Sequence, residues 1–324
     1  MAQKKTSVRK IARKTAGKST AKRTRKKTRR ELYLIDASVY IFRGYYTLPP
    51  GILDSSGEPV SAVYGFADFL LGFLEKIQPT HIVACFDESL STSYRNDIYP
   101  DYKANREAAA PELERQMKLC RRLTRLAGVT EFASDAFEAD DLIGTAIQQC
   151  RRGDFRNRIL SSDKDLTQLL EKGDQLWDYA RDRRVDPAEV KRQFGVRPDQ
   201  IAEYLALRGD AVDNIPGIPG IGAQTAAALL QKFGSLEKVL NGTHRVRKMN
   251  IRGAAGIADK LEQHGDMARL CLELTRIHRK APIQATPSKL KYRGLDEQGM
   301  SDFFDEMEFG TRLRNRLARL TGKA

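Results

Sequence analysis

Three short apolar segments of this chain end in an aspartate, and helical patterns separate them. The segments are ELYLID, THIVACFD and RNRILSSD, which have strand length and are rich in β-branched or aliphatic residues. Between the first two, apolar residues from Val60 to Leu74 recur at i, i+3 and i+4 spacing, which predicts an amphipathic helix. Further helices are predicted near 111–127 and 139–151. This alternation predicts an α/β fold, with a mostly parallel twisted sheet flanked by helices.

The pattern changes near Asp186, where strand signals nearly vanish and helical segments take over. One of these segments, NIPGIPGIGAQTAAALLQKFG, is punctuated by Gly and Pro at its start. We therefore predict three parts: a basic tail over 1–30, an α/β core over 31–185 and a helical region over 186–324.

The formal charge of +14 is confined to the first 30 residues, which contain 14 Lys or Arg and no Asp or Glu. These residues include almost nothing apolar, which predicts disorder because the segment cannot offset the entropy cost of folding. A polycation of this kind neutralises nucleic-acid phosphates without reading sequence. A solubilising tail and an organellar targeting peptide are the alternatives, whereas a secretory signal is excluded because no apolar stretch follows the charges.

Cysteine spacing and hydropathy exclude several classes of protein. The four cysteines lie far apart without CxxC or His pairing, so neither a zinc site nor a disulfide framework is encoded. The longest uncharged stretch, 214–231, is interrupted by Pro and Gly, which is incompatible with a membrane-spanning helix. We expect a cytoplasmic, nucleoid-associated protein with no membrane partner.

Carboxylates recur at positions that a parallel sheet would bring together. Asp36, Asp87 and Asp163 each follow a predicted strand, and the carboxyl ends of parallel strands meet at one edge. Taken singly, Asp163 is as well explained as a helix N-cap. Six further acidic residues form three close groups: Glu138, Asp140 and Asp141; Asp165, beside Asp163; and Asp210 with Asp213.

So many like charges in one cleft repel one another unless cations bind there. Hard divalent cations with oxygen ligands, Mg²⁺ or Mn²⁺, suit such a cluster. Two such ions clamp the attacking and leaving oxygens of a phosphoryl displacement, so the cluster indicates phosphodiester hydrolysis. No EF-hand loop and no GxxxxGK[ST] motif are present, which disfavours calcium buffering and P-loop chemistry.

Two other segments indicate nucleic-acid binding. Gly217, Gly220 and Gly222 precede a helix of small residues, and the free N–H groups of a helix N-terminus bind phosphate; a bare helical hairpin is the alternative. The segment SYRNDIYPDYKANREAAAP mixes Tyr with Lys and Arg and has few aliphatic residues, so we predict that it is not core. Aromatics interleaved with cations suit single-stranded nucleic acid, and a solvated loop is the alternative.

These motifs, in this order, resemble the 5′-nuclease domain of bacterial DNA polymerase I and the related flap endonucleases. The resemblance rests on VYGF, FD before a Tyr/Lys/Arg loop, YKANR, FEADD, SSDKDLTQLL, GDAVDNIPGIPGIGAQTA and MEFGTRL, and covers about 31–318. It implies a PIN-like nuclease fold, a helical arch near 90–110 and a helix-three-turn-helix that binds duplex backbone. The implied activity is metal-dependent 5′-3′ exonuclease and 5′-flap cleavage of DNA, with two Mg²⁺ ions or Mn²⁺ in their place.

The resemblance also implies roles for individual residues. Lys103 and Arg106 would contact the scissile phosphate, Arg43 and Tyr102 would contact substrate elsewhere, and the hairpin would hold a K⁺ ion. The implied backbone-binding residues of that hairpin are Gly217, Gly220, Gly222, Ala223, Gln224 and Thr225. The implied metal ligands are Asp36, Asp87, Glu138, Asp140 and Asp141 for one ion, and Asp163, Asp165, Asp210 and Asp213 for the other.

Two features depart from the family pattern: the basic tail, and the lack of a polymerase domain after MEFGTRL. We therefore expect a monomeric stand-alone nuclease that acts on DNA with 5′ flaps, nicks or 5′ ends and pairs functionally with a separate polymerase. A PIN-like ribonuclease is the alternative enzyme, although the glycine-rich hairpin argues against it. A non-catalytic junction-binding or DNA-compacting protein is the alternative outside enzymes, although nine carboxylates facing phosphates argue against it.

Overall fold

The computed structural model describes residues 29–88, 93–106 and 110–323. The predicted basic tail lies outside these ranges, except for its last two residues. A six-stranded sheet forms the centre of the first part, in the order β3-β2-β1-β4-β5-β6. Its strands are β1 (Arg30–Asp36), β2 (Ile82–Asp87), β3 (Thr130–Ser134), β4 (Phe155–Leu160), β5 (Gln175–Asp178) and β6 (Arg183–Val185).

The sheet is parallel from β3 to β5, and the edge strand β6 is antiparallel to β5. The predicted strands ending in Asp36 and Asp87 and the strand before Asp163 are confirmed. The strand order reverses between β1 and β4. These two strands are adjacent, but the chain continues from β1 to β2 on one side and from β4 to β5 on the other. Open α/β sheets bind ligands at this position, outside the carboxyl ends of the strands.

Helices cover both faces of the sheet. Alternation along β1 sends Leu32 and Leu34 to one face and Tyr33 and Ile35 to the other, and each face has its own apolar core. The helices of this part are α1 (Ala37–Thr47), α2 (Ser61–Ile77), α3 (Tyr94–Ile98), α4 (Pro111–Leu126) and α5 (Ala139–Cys150). The predicted helices at 60–74, 111–127 and 139–151 are therefore present as α2, α4 and α5.

Residues after the sheet are helical, as predicted, and the described part of the chain has no strand beyond Val185. Short 3₁₀ helices cover Arg151–Gly153, Asp165–Leu169 and Pro198–Gln200. The remaining α-helices are α6 (Pro187–Phe194), α7 (Ile201–Arg208), α8 (Ala223–Phe233), α9 (Leu236–Leu240), α10 (Thr243–Val246), α11 (Ala254–Gln263), α12 (Gly265–Thr275), α13 (Glu297–Glu306) and α14 (Thr311–Leu320). Among the described residues, no helix has both the length and the apolar character needed to span a bilayer.

The last third of the predicted helical region, 186–324, packs against α2 and α4 rather than with helices α6 to α12. After α12 the chain returns to the amino end of β2. There Ile82 N donates to Leu290 O at 2.9 Å, and Tyr292 N donates to Thr80 O at 3.0 Å. Phe303 and Phe304 of α13 and Leu313 of α14 are then fully buried in the core beneath α2 and α4. The sequence pattern marks these helices as amphipathic but does not say which surface covers their apolar faces.

Helices α1 and α2 cross at two glycines, Gly44 and Gly65. A Cβ atom at Gly65 would lie 2.7 Å from the Cα of Gly44, closer than packed atoms approach. This contact matters for the site because α1 begins directly after Asp36 and carries Ser38.

We expect Gly65→Ala to lower the free energy of unfolding by about 1–3 kcal/mol, because the added methyl group forces α1 away from α2. Gly256→Ala is the matched control. Gly256 lies in α11, where an added Cβ would meet no atom within 4 Å, so helix propensity should raise stability there by up to about 1 kcal/mol. Urea denaturation measures both, and equal stability changes would show that the α1–α2 crossing tolerates the methyl group.

Candidate active site

A cavity of about 190 Å³ opens at the carboxyl ends of the strands, where the strand order reverses. Seven carboxylates line it: Asp36, Asp87, Glu138, Asp140, Asp163, Asp165 and Asp213. They come from the ends of β1 and β2, the start of α5, the segment after β4 and the connection between α7 and α8. Seven of the nine predicted metal ligands are thus brought together by the topology of the sheet.

Hydrogen bonds fix the two strand-end carboxylates. Ser161 Oγ donates to Asp36 Oδ2 at 2.7 Å, and Ser38 Oγ donates to Asp87 Oδ2 at 2.5 Å. The backbone N–H of Ala139 donates to Asp87 Oδ1 at 2.8 Å. One oxygen of Asp36 therefore keeps its orientation while the other stays free for a ligand in the cavity.

Three cations pair with carboxylates at the cavity and its rim. The pairs are Lys103 Nζ with Glu138 at 2.7 Å, Arg106 Nη2 with Asp213 at 2.6 Å and Lys164 Nζ with Asp210 at 2.7 Å. Lys103 adopts a left-handed backbone with φ of 57°, and its N–H donates to Asp213 O at 3.0 Å. The 101–106 turn is therefore held against the α7–α8 connection.

Burial and mutual repulsion perturb the titration of the remaining acids. Burial, and then the neighbouring Asp87, raise the pKa of Asp36 to about 7. Burial and the charge of Asp163 likewise raise the pKa of Asp165 to about 7 and that of Asp140 well above its ordinary value. Burial acts in the same direction on Glu138, but Lys103 and Arg95 outweigh it, so the pKa of Glu138 is lowered.

These residues fit divalent cations chemically. The donors are carboxylate oxygens, their like charges are only partly compensated, and the buried Oδ1 of Asp165 has no hydrogen-bond partner. In residues 29–88, 93–106 and 110–323, however, no three His, Cys, Asp or Glu side chains converge closely enough to form a ready metal site.

Two predicted ligands lie outside the cavity. Asp141 is fully buried and receives both guanidinium nitrogens of Arg95 at 2.8 Å, so the prediction that it is a metal ligand does not fit this structure. Asp210 accepts from Lys164 Nζ and, at 3.0 Å, from Val212 N, so Lys164 separates it from Asp165. A pattern of carboxylates in the sequence does not show which of them pairs with an arginine or a lysine.

The prediction that the 93–111 segment is not core is wrong for two residues. Tyr102 is 4% exposed, with its hydroxyl 3.3 Å from Glu138 and 3.4 Å from Asp213, and Arg95 is 3% exposed. Within the described part of the predicted arch, helix is limited to Tyr94–Ile98, and turns cover 100–105. Arg43 lies on the exposed side of α1, in a neighbouring groove that it shares with Tyr40.

The predicted glycine hairpin is the connection between α7 and α8. Gly217 has φ of 64°, and a Cβ there would lie 2.3 Å from the backbone nitrogen of Gly209, so only glycine fits. Gly222 caps α8, and Ala223 and Gln224 are exposed in its first turn, with Thr225 half-buried. The first helical bond of α8 runs from Ala226 N to Gly222 O, so the preceding N–H groups point to solvent.

Three polar residues around the cavity are not predicted by the pattern of carboxylates in the sequence. Ser38 and Ser161 orient strand-end acids, and Lys164 lies between Asp165 and Asp210. Their signal in the sequence is adjacency, since each lies within two residues of a predicted ligand. Arg95 has no such signal because it lies more than 40 residues from Asp141, its partner.

Family models match the chain over most of its length. Residues 31–195 match the 5′-3′ exonuclease N-terminal resolvase-like domain, and residues 196–298 match the 5′-3′ exonuclease C-terminal SAM fold. The chain belongs to the 5′-3′ exonuclease family. The family boundary at 195 lies ten residues beyond the predicted one and coincides with the end of α6.

Relatives of this 5′-3′ exonuclease include DNA polymerase I of Bacillus subtilis, 34% identical over 289 residues, and of Thermus filiformis, 35% identical over 285 residues. Each alignment covers 88% of this chain but only 32% and 33% of the relative, so the chain spans about a third of these polymerases.

Solved structures show the same fold at low identity. T5 5′-exonuclease with bound zinc has a TM-score of 0.63 and 16% identity, over 90% of this chain and 100% of that one. The catalytic core of Rad2 in complex with DNA substrate has a TM-score of 0.61 and 14% identity, over 90% of this chain and 92% of that one. The 5′-3′ exonuclease fold is therefore conserved in outline although the sequences have diverged.

We expect the stability of the metal-free exonuclease to fall as pH rises from 5.5 to 8. Asp36 and Asp165 hold protons up to a pKa of about 7 in the folded protein, whereas an unfolded aspartate loses its proton near 4, so folding binds protons in this window. Asp165→Asn should flatten this slope, and Asp199→Asn, at an exposed pair with Arg197, should not.

Denaturation in EDTA at the two pH values measures the slope, and calorimetry with Mn²⁺ should show affinity increasing with pH as the ion displaces these protons. Parallel pH profiles for the parent and Asp165→Asn would contradict the raised pKa.

Proposed function

We propose that this protein is a structure-selective 5′-3′ exonuclease and 5′-flap endonuclease that cleaves DNA by metal-dependent phosphodiester hydrolysis. One observation carries the proposal: seven carboxylates share a single cavity, with Lys103 and Arg106 at its rim. Membership of the 5′-3′ exonuclease family supports it. So do the names of its structural neighbours, which include a T5 5′-exonuclease and a Rad2 core in complex with DNA substrate.

Two Mg²⁺ ions, or Mn²⁺ in their place, would supply an acidified water and neutralise the phosphate charge at this site. The residues that would hold them are Asp36, Asp87, Glu138 and Asp140 on one side, and Asp163, Asp165 and Asp213 on the other. Asp210 would act through Lys164 unless that lysine is displaced.

In the proposed reaction, Lys103 and Arg106 would each exchange a carboxylate partner for a phosphate of the DNA. Each now pairs with a carboxylate that faces the cavity, at 2.7 and 2.6 Å. When cations neutralise these carboxylates, both side chains become available for the scissile phosphate. Positive charge at the phosphate then stabilises the transition state, in which negative charge builds up on the oxygens.

The α7–α8 connection links chemistry to DNA binding. It carries Asp213 at the cavity and, nine residues later, Gly222 at the exposed N-terminus of α8. The N–H groups of this helix end would contact the phosphates of duplex DNA, with K⁺ as an additional bridge. A duplex held there lies at a fixed distance from the cavity, which would make cleavage depend on DNA structure rather than sequence.

Other parts of the proposal concern the cell. We propose a monomer in the cytoplasm, associated with the nucleoid and acting with a separate polymerase on 5′ flaps, nicks and 5′ ends. The residues of the basic tail up to 28 lie outside the described structure, and their composition supports non-specific contact with DNA phosphates. Organellar targeting is the competing role for the same segment.

We expect Asp87→Asn to reduce cleavage of a 5′-flap substrate by more than tenfold in saturating Mg²⁺ while the fold is retained. The amide keeps the hydrogen-bonding shape of the carboxylate but removes a charged ligand, and losing a two-metal clamp costs several kcal/mol of transition-state stabilisation. Asp266→Asn, at a fully exposed carboxylate, is the matched control.

The assay uses labelled 5′-flap, nicked, single-stranded and RNA substrates with Mg²⁺ or EDTA. Cleavage of RNA alone would favour a ribonuclease, and binding without any cleavage would favour a junction-binding protein. Either outcome would refute the proposed function.

We expect Lys103→Ala to slow single-turnover cleavage by roughly 10²–10³-fold with little change in DNA affinity, because the charge acts mainly on the transition state. Lys191→Ala, on the surface of α6, is the control. A loss of affinity with an unchanged rate for bound substrate would show that Lys103 only tethers DNA.

We expect deletion of residues 1–28 to flatten the salt dependence of DNA binding without changing single-turnover cleavage at saturating protein. The deletion removes 12 Lys or Arg and no predicted ligand. A tail that touches three or four phosphates contributes about 3–4 units to the slope of log K against log salt. A variant whose tail carries Ser in place of Lys and Arg controls for length. Identical slopes for the parent and the deletion would favour targeting or solubility instead.

A further inference from the structure

Arg95 is a buried cation that no proposed catalytic step uses. Its side chain is 3% exposed, and each of its three side-chain nitrogens donates at least one hydrogen bond. Nη1 and Nη2 each lie 2.8 Å from an oxygen of Asp141, Nε donates to Leu274 O at 2.9 Å, and Nη2 also donates to Arg276 O at 3.1 Å. The guanidinium lies 4.7 Å from the ring centroid of Tyr94. Such a side chain has one orientation.

Its partner Asp141 is saturated. Besides the two bonds from Arg95, its Oδ1 accepts from His278 N at 2.8 Å and its Oδ2 accepts from Glu138 N at 3.2 Å. A carboxylate offers about four lone-pair directions, so these bonds leave none for a metal. The negatively charged side chain of Asp141 holds Arg95 and the adjoining backbone in place.

The pair joins three parts of the molecule that all reach the cavity. Arg95 belongs to α3 at the base of the 93–106 segment, and Asp141 belongs to the first turn of α5. Their backbone partners lie in 274–278, at the end of α12 and just after it. Glu138 and Asp140 are the cavity carboxylates of that same turn. Each residue of an α-helix turns by about 100°, so a small rotation of this turn would move their oxygens out of the cavity.

The same guanidinium also supports the cationic side of the cavity. It lies 5.9 Å from the ring centroid of Tyr102. Lys103 Nζ, which pairs with Glu138, lies 4.9 Å from the same centroid. Arg95 Nη1 is itself 3.8 Å from Glu138. Arg95 therefore contacts both the turn that presents Lys103 and the helix that presents its carboxylate partner.

We infer that Arg95 is a positioning residue: its bidentate pair with Asp141 fixes the first turn of α5, so that Glu138 and Asp140 face the cavity where divalent cations would bind. The inference rests on the proposed function for its link to cleavage, but its effect on metal affinity is independent of which substrate is cut.

Arg95→Lys is the principal test, because lysine keeps the charge and loses the planar fork. We expect a folded protein whose affinity for Mn²⁺, measured by calorimetry without DNA, falls by about 10–100-fold, the range typical of residues that orient metal ligands. Single-turnover cleavage of the 5′ flap should fall by a similar factor in limiting Mg²⁺, whereas flap binding in EDTA should change less than about twofold.

Arg121→Lys is the matched control. Arg121 forms the corresponding bidentate pair with Glu131, at 3.0 and 3.1 Å, on α4 and β3 outside the cavity. We expect it to leave Mn²⁺ affinity and cleavage unchanged. An equal loss in both lysine variants would show that only general stability is affected and would overturn the inference.

The double variant Arg95→Met with Asp141→Asn guards against misfolding, because it removes both charges and keeps an amide oxygen for His278 N. It too should fold and bind Mn²⁺ weakly. Mn²⁺ affinity within about twofold of the parent in either folded variant overturns the inference, and so does failure of both to fold, which would make Arg95 a purely structural residue. If the parent cleaves no substrate but Arg95→Lys loses Mn²⁺ affinity, the proposed function fails and the positioning role stands.

Discussion

Repulsion among the carboxylates of the cavity is the constraint on which the rest of the site depends. Seven of them lie around about 190 Å³, most of them half-buried, and partial burial raises the cost of each charge. The protein offsets this cost by different means at different residues: lysine or arginine pairs at Glu138 and Asp213, and proton retention at Asp36 and Asp165. In the proposed function, a bound divalent cation would replace these ion pairs and protons as the compensation for the charge.

The sheet makes the clustering possible. Because β1, β2 and β4 are adjacent and parallel, residues more than 120 positions apart reach one edge, as the hydrogen bond from Ser161 to Asp36 shows. The α7–α8 connection then adds Asp213 from the second part of the chain and continues into the exposed N-terminus of α8. In the proposed function, this connection would join chemistry to backbone recognition and so help to position a phosphodiester.

Much of this arrangement could be predicted from sequence because its signals are local. Strands ending in Asp36 and Asp87, the helices α2, α4 and α5, and the glycine hairpin each have a short-range pattern. The errors concern long-range partners. Nothing near Asp141 indicates that Arg95 will pair with both of its carboxylate oxygens, and nothing near Tyr102 indicates that it will be buried against Glu138. The strands β5 and β6, only four and three residues long, also give too little pattern to predict.

The packing of α13 and α14 against α2 and α4 affects how the chain folds during synthesis. Leu70, Leu74 and the apolar side of α4 share a core with Phe303, Phe304 and Leu313, which the ribosome delivers some 230 residues after Leu70. Until then this side of the nascent domain is uncovered, and contacts of such high sequence separation form slowly. The α/β part of the molecule is therefore completed only after helices α6 to α12 have emerged, so a partly translated chain carries the carboxylates without the finished scaffold that aligns them.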